Sequence, residues 1–169
     1  TFILERMYYY GEGTKDDTKK AIELLNEIKD KKLEVRYILG KMYLDQAKND
    51  ANYVGEGVVE IKAAADGGLP QAQLDMANTL KLATLNDSTQ GIDKNVLLKQ
   101  SAEYLAMAVA QGYTPAMRQL GLYFYNGIGV PKNIEKGLNL LKEAADKGDT
   151  NSAEILEKKT FDIDEVSNG

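Results

Sequence analysis

The residues of this chain that have the right types for chemistry are few, and their spacing argues against most of it. Two Gly-x-Gly segments, Gly11 with Gly13 and Gly127 with Gly129, have the composition of a phosphate cradle. A dinucleotide fingerprint needs a third glycine, a strand before it and a helix after it. Here the third glycine is missing and helix-period sequence precedes, so both segments read as tight turns between helices. Acidic clusters stand at Asp16-Asp17, Asn86-Asp87 and Asp162-x-Asp164-Glu165. None has the glycine and closing glutamate of a calcium loop. With 26 acidic residues in the chain, pairs spaced like glycosidase carboxylates carry no weight, and solvated surface is the simpler reading. Ser88, Ser101, Ser152 and Ser167 all lack a lysine three residues on, so no Ser-x-x-Lys acylation dyad exists. The chain has no histidine and no cysteine. Ser-His-Asp and Cys-His sites cannot be assembled from it alone, and the usual zinc ligands are missing. The expectation is a protein that is not an enzyme, with no catalytic residue, metal site or cofactor.

Composition supports a folded domain or short array: 169 residues, 43% hydrophobic, 28% charged and only 3 prolines. With 21 basic and 26 acidic side chains the formal charge is −5, which lacks the basic footprint of a nucleic-acid binder. No apolar run approaches the roughly 18 residues of a membrane span, so no direct membrane insertion is expected. The segment 2–8 reads as a helix in mid-course, as in a fragment of a longer protein. Such a cut leaves Ile3 and Met7 open, and a dimer through that end would follow. Bacterial periplasm, cytoplasm and endoplasmic reticulum lumen all remain open as locations.

The chain is organised by an internal repeat. In residues 115–131 Ala116, Leu120 and Phe124 fall at helical spacing beside the small Gly121. A second helix follows with Gly137, Leu140, Leu141 and Ala144, and Gly148 ends it. The leucine of the first helix recurs as Leu4, Leu39, Met76, Leu120 and Leu156, at intervals of 35, 37, 44 and 36 residues. Four residues further on stand Tyr8, Tyr43, Leu80 and Phe124. The small residue of the second helix recurs as Ala21, Gly57, Ser101 and Gly137. Three beyond it come Leu24, Glu60, Tyr104 and Leu140, where Glu60 breaks the apolar pattern and suggests that its unit is out of frame by about one residue. Turns are expected at Lys32, Gly68, Gly112 and Gly148. The 44-residue third unit carries a polar insertion at 84–95, and 46–52 is polar where a short turn is expected.

Ala-x-x-x-Leu-Gly-x-x-aromatic-x-x-Gly-x-Gly-Val, then Lys-x-x-x-x-Leu and Ala-Ala-x-x-Gly, resembles the Sel-1-like repeat, a relative of the tetratricopeptide repeat. The 115–148 unit matches nearly throughout. Gly11, Gly13, Asp17, Lys20, Ala21 and Leu24 match in the first unit, and Ala64-Ala65-x-x-Gly68 with Ala72 marks the second junction. The second and third units depart from the pattern by lacking the Gly-x-Gly turn. The resemblance covers about 155 residues and implies an all-α fold: a right-handed superhelical solenoid of stacked antiparallel helix pairs. The array is expected over 1–159, with repeats at about 1–32, 33–68, 69–112 and 113–148, a terminal helix at 150–159, and a polar, frayed tail at 160–169.

In such stacks the first helices line the concave side. With the repeated leucine as the buried reference, helical geometry turns residues two before, two after, and five and six after it inward. Phe2, Leu44, Asp45, Lys81 and Leu82 fall in that set. Its candidate partner-binding members are Arg6, Tyr9, Tyr10, Tyr37, Lys41, Leu74, Asn78, Arg118, Leu122, Tyr125 and Asn126. Tyr and Arg are common interface anchors. Arg6, Lys41, Lys81 and Arg118 stand against the single acid Asp45, which predicts a locally positive groove for an acidic or extended protein segment. Relatives of the resembling family act in protein quality control, activation of cell-wall synthases and bacterial host contact. The implied function is a scaffold or adaptor for another protein. A bacterial immunity or inhibitor protein that caps a toxin or effector is the alternative.

Overall fold

The computed structural model describes residues 15–85 and 91–162. The expectations for Phe2, Ile3, Leu4, Arg6, Met7, Tyr8, Tyr9, Tyr10 and the Gly11/Gly13 turn lie outside these, as do those for residues 86–90 and 163–169. The described residues form eight helices and no strand: α1 (Lys15–Ile28), α2 (Leu33–Gln46), α3 (Tyr53–Asp66), α4 (Pro70–Ala83), α5 (Lys94–Ala110), α6 (Thr114–Asn126), α7 (Ile134–Asp146) and α8 (Thr150–Lys158). The protein is an all-α repeat fold. It divides into two compact units, residues 1–72 and 73–169.

In the first unit α2 packs on α1 and α3. The α2–α3 pair closes at two glycines. A Cβ built on Gly40 would stand 2.6 Å from Ile61 Cγ1 and 3.0 Å from the Gly57 carbonyl oxygen. One built on Gly57 would stand 2.7 Å from Leu44 and 3.0 Å from the Gly40 carbonyl oxygen. No side chain fits there, so the two backbones meet directly. The helices are antiparallel, since Gly40 faces Ile61 while Leu44 faces Gly57.

The second unit repeats this contact in α6 and α7. A Cβ on Gly137 would stand 2.6 Å from the Gly121 carbonyl oxygen and 2.8 Å from the Tyr125 nitrogen. At the matching place between α4 and α5 the residues are Ala77 and Ser101. There the Ser101 hydroxyl joins the two helices, donating to the Ala77 carbonyl oxygen at 2.7 Å. The connection between α4 and α5 is the long one. It is shorter than expected at its far end, because Asp93 caps α5 by accepting from the Asn95 N–H at 2.9 Å and so draws Lys94 and Asn95 into the helix.

The large core residue lies four positions beyond the small one: Leu25 (4% exposed), Ile61 (2%), Leu105 (0%) and Leu141 (0%). The expected residues at three beyond are displaced to the flank. Leu24 is 53% exposed, and Tyr104 and Leu140 are only half-buried. In all four units the residue four beyond is the buried apolar one, so Glu60, itself 6% exposed, does not mark a unit out of frame. Ala116, Leu120 and Tyr123 of α6 and Ala144 of α7 are also buried. In α8 the buried apolar residue is Ile155, with Leu156 half-buried, one position away from the expected register.

Repeats end alike. The Leu69, Tyr113 and Asp149 N–H groups donate back to the carbonyls of Ala64, Ala108 and Ala144, all at about 3.0 Å. This is the six-to-one bond of a Schellman turn, which requires a left-handed residue one position earlier. Gly68, Gly112 and Gly148 supply it, with φ of 112°, 80° and 99°. The first tail residues are not frayed: Phe161 packs against the core.

The glycine contacts generate a paired test. Gly137→Ala forces the α6–α7 backbones apart and should destabilise by about 1–3 kcal/mol. Gly55→Ala, in α3 with nothing within 4 Å of the added methyl, should stabilise by about 0.5–1 kcal/mol through helix propensity. Urea unfolding of both variants checks the difference in sign.

Candidate partner-binding surface

The expected binding residues on α6 are largely engaged within the chain. Arg118 Nη1 bonds both carboxylate oxygens of Asp149, at 3.0 and 3.3 Å. Asp149 is also the N-cap of α8: its Oδ2 accepts from the Ser152 N–H at 3.2 Å and from the Ser152 hydroxyl. Arg118 therefore ties α6 to the start of α8, and its charge is met there. Leu122 is 2% exposed and belongs to the core. Its place in the expected inward set is corrected by the Gly121–Gly137 contact, which rotates that side of α6 onto its neighbours. Tyr125 stacks on Phe161, with centroids 4.2 Å apart and planes at 17°. The Asn126 amide donates to the Leu122 carbonyl at 2.9 Å and the Phe161 carbonyl at 2.7 Å.

On α4, Leu74 is half-buried against the core, and the Asn78 side-chain oxygen accepts from Gln119 Nε2 at 2.6 Å. The α2 residues are arranged differently. Tyr37 and Lys41, one turn apart and both half-buried, form a cation–π pair with the ammonium 5.8 Å from the ring centroid.

Sequence reasoning missed a polar cluster in the first unit. Glu60, 6% exposed, receives Lys29 Nζ at 2.8 Å and Arg36 Nη1 at 3.3 Å, and Arg36 also pairs with Asp30. The hydrogen bond to Glu60 raises the Lys29 pKa, against partial desolvation. A carboxylate this buried is tolerated because two cations neutralise it. Beside it lies a cleft of about 480 Å³, lined in part by Asn26, Lys29, Tyr43 and Glu56. Tyr43 accepts from Asn26 Nδ2 at 2.8 Å and stacks near Tyr53. No sequence spacing links residues 29, 36 and 60. Asp149 was more legible, since Gly-Asp ahead of a helix is a cap pattern.

The second unit holds a buried polar link. The single Ser101 hydroxyl proton goes to Ala77, so Ser101 accepts from the Tyr123 O–H at 2.8 Å. Burial raises the Tyr123 pKa above 10.0, despite its hydrogen bonds with Ser101 and Gln119. Among the described residues no group of three or more acidic side chains could hold a metal ion, and no helix is long and apolar enough to cross a membrane.

The Sel1 repeat family model matches residues 6–29, 70–113 and 114–149, more than half of the chain. The chain belongs to the Sel1 repeat family. The α2–α3 pair falls between the matched segments, yet it carries the same glycine contact as α6–α7. Among solved structures, a Sel1 repeat protein from Oxalobacter formigenes aligns with a TM-score of 0.66 at 22% identity, covering 81% of this chain and 97% of that one. A protective antigen of uropathogenic Escherichia coli displaying an SLR fold aligns with a TM-score of 0.68 at 22% identity, covering 89% of this chain and 30% of its own. Helicobacter pylori cysteine rich protein B aligns at 0.56 and 18% identity, covering 86% and 98%. These likenesses establish the fold. Sel1 repeats generally mediate contacts between proteins, and the family is typically a non-catalytic scaffold.

Two tests follow from the Sel1 repeat geometry. Asp149→Ala removes both the α8 cap and the partner of Arg118, whereas Asp149→Asn keeps a competent cap. Alanine should cost about 1 kcal/mol more than asparagine, read by urea unfolding. The folded chain holds the Tyr123 proton in a pH range where the unfolded chain, with a pKa near 10, releases it. The stability this confers is complete below about pH 10 and declines as pH rises through the folded pKa. Tyr123→Phe should flatten the alkaline decline of the urea midpoint, and an unchanged decline would contradict the assignment.

Proposed function

We propose that this Sel1 repeat protein is a scaffold that binds another protein through side chains of its first helices, with Tyr37 and Lys41 on α2 as the principal contacts in the first unit. The observation that carries this is their arrangement. An aromatic ring and an ammonium stand one turn apart, half-exposed, on a helix whose position is fixed by the neighbouring Gly40–Gly57 contact. Such a pair offers contact area, hydrogen bonding and charge without ordering a flexible chain. The charge suits an acidic or extended partner segment on a protein that is otherwise net negative. Arg118, bound to Asp149, is an internal fastener in this reading and not a contact. No observation favours an immunity or inhibitor protein over a general adaptor; a partner that proves to be a toxin would select it.

Affinity capture from the source lysate tests this. The Tyr37→Ala/Lys41→Glu double variant should keep its helical circular dichroism and lose a partner that the unaltered chain retains, by about tenfold or more. Equal capture by both forms would place the contacts elsewhere.

A further inference from the structure

Beyond α8 the chain turns back toward α6. Lys159 is the one non-glycine residue with positive φ among the described residues, at 55°. The Thr160 N–H donates to the Ile155 carbonyl at 3.2 Å, and residues 160–162 continue outside any helix. Phe161 is then held twice. Its ring stacks on Tyr125 at 4.2 Å, and its carbonyl accepts from Asn126 Nδ2 at 2.7 Å. The second hydrogen of that amide is fixed by the Leu122 carbonyl, which aims the first outward.

We propose that Tyr125 and Asn126 form a docking site for a partner peptide that presents one aromatic residue in a non-helical segment, and that Phe161 is its resident occupant within this chain. The proposal rests on the protein-binding reading above and names one partner chemistry for it. What the site recognises is generic to such a segment: a flat ring and the main-chain carbonyl of the same residue. Neither contact reads anything else about Phe161. The seated state carries a cost at Lys159, because a lysine in the left-handed region is disfavoured. A partner that replaces Phe161 relieves that conformation and keeps the ring and carbonyl contacts. Because the resident segment is tethered, it competes at high effective concentration. Removing it should therefore raise the apparent affinity for a free peptide.

The probe is an acetylated, amidated peptide Lys-Lys-Thr-Phe-Asp, matching residues 158–162, titrated to millimolar concentration. Amide NMR is read at the Asn126 side chain and the Leu122 and Tyr125 backbones. Phe161→Leu and Phe161→Met are both used, so that poor folding of one does not decide the result. Each should bind the peptide at least tenfold more tightly than the unaltered chain. Adding Asn126→Ala should reduce that affinity about tenfold, and a peptide with alanine for phenylalanine should shift none of these signals. Equal affinity for the unaltered and Phe161 variants, shifts elsewhere than α6, or no shift in either variant would overturn the proposal. These outcomes use the chain's own segment as probe. Their failure removes the Tyr125 site and leaves the α2 contact to the capture experiment.

Discussion

Direct contact between helix backbones at paired glycines governs the rest of this structure. Gly40 with Gly57, and Gly121 with Gly137, leave no room for a methyl group, so the distance and rotation of each pair are set by main chain, not by adaptable side chains. With the rotation fixed, the residue four places beyond the small one must point into the seam, and Leu25, Ile61, Leu105 and Leu141 do so with regularity. Where the glycines are replaced by Ala77 and Ser101, a hydrogen bond from the Ser101 hydroxyl to the Ala77 carbonyl joins the two helices. Ser101 can fill this role without a buried orphan because Tyr123 reaches it from α6.

The same rigidity determines which surface residues remain for a partner. Side chains near the seams are used to fasten one helix to the next. Arg118 holds the cap of α8, and Asn78 accepts from Gln119. Glu60 gathers Lys29 and Arg36 around α3. These are partly buried, multiply bonded groups, and they fix geometry more than they add stability. The exposed pair Lys62–Asp66, one helical turn apart, contributes at most a few tenths of a kcal/mol.

Much of this was legible in the sequence and some was not, for identifiable reasons. Gly68, Gly112 and Gly148 announce helix ends because only a residue at ease with positive φ can close a Schellman turn. The small residues at 57, 101 and 137 announce close approach. The choice of Leu24 over Leu25 failed because a period of 3.6 places positions three and four beyond a reference on the same face. Which of them enters the seam depends on helix rotation, which only the partner backbone sets. Leu122 was misplaced for the same reason. Arg118 and Phe161 find their partners 31 and 36 residues away, and no local pattern encodes such pairings.

The central claim is that first-helix side chains, not those of the second helices, meet the partner. Hydroxyl-radical footprinting of the chain with and without its captured partner reads this directly. The account predicts reduced oxidation of Tyr37 in the complex, with Val59 on α3 and Met107 on α5 unchanged, both of them exposed in the chain alone. Protection of Val59 and Met107 with Tyr37 unchanged would contradict it.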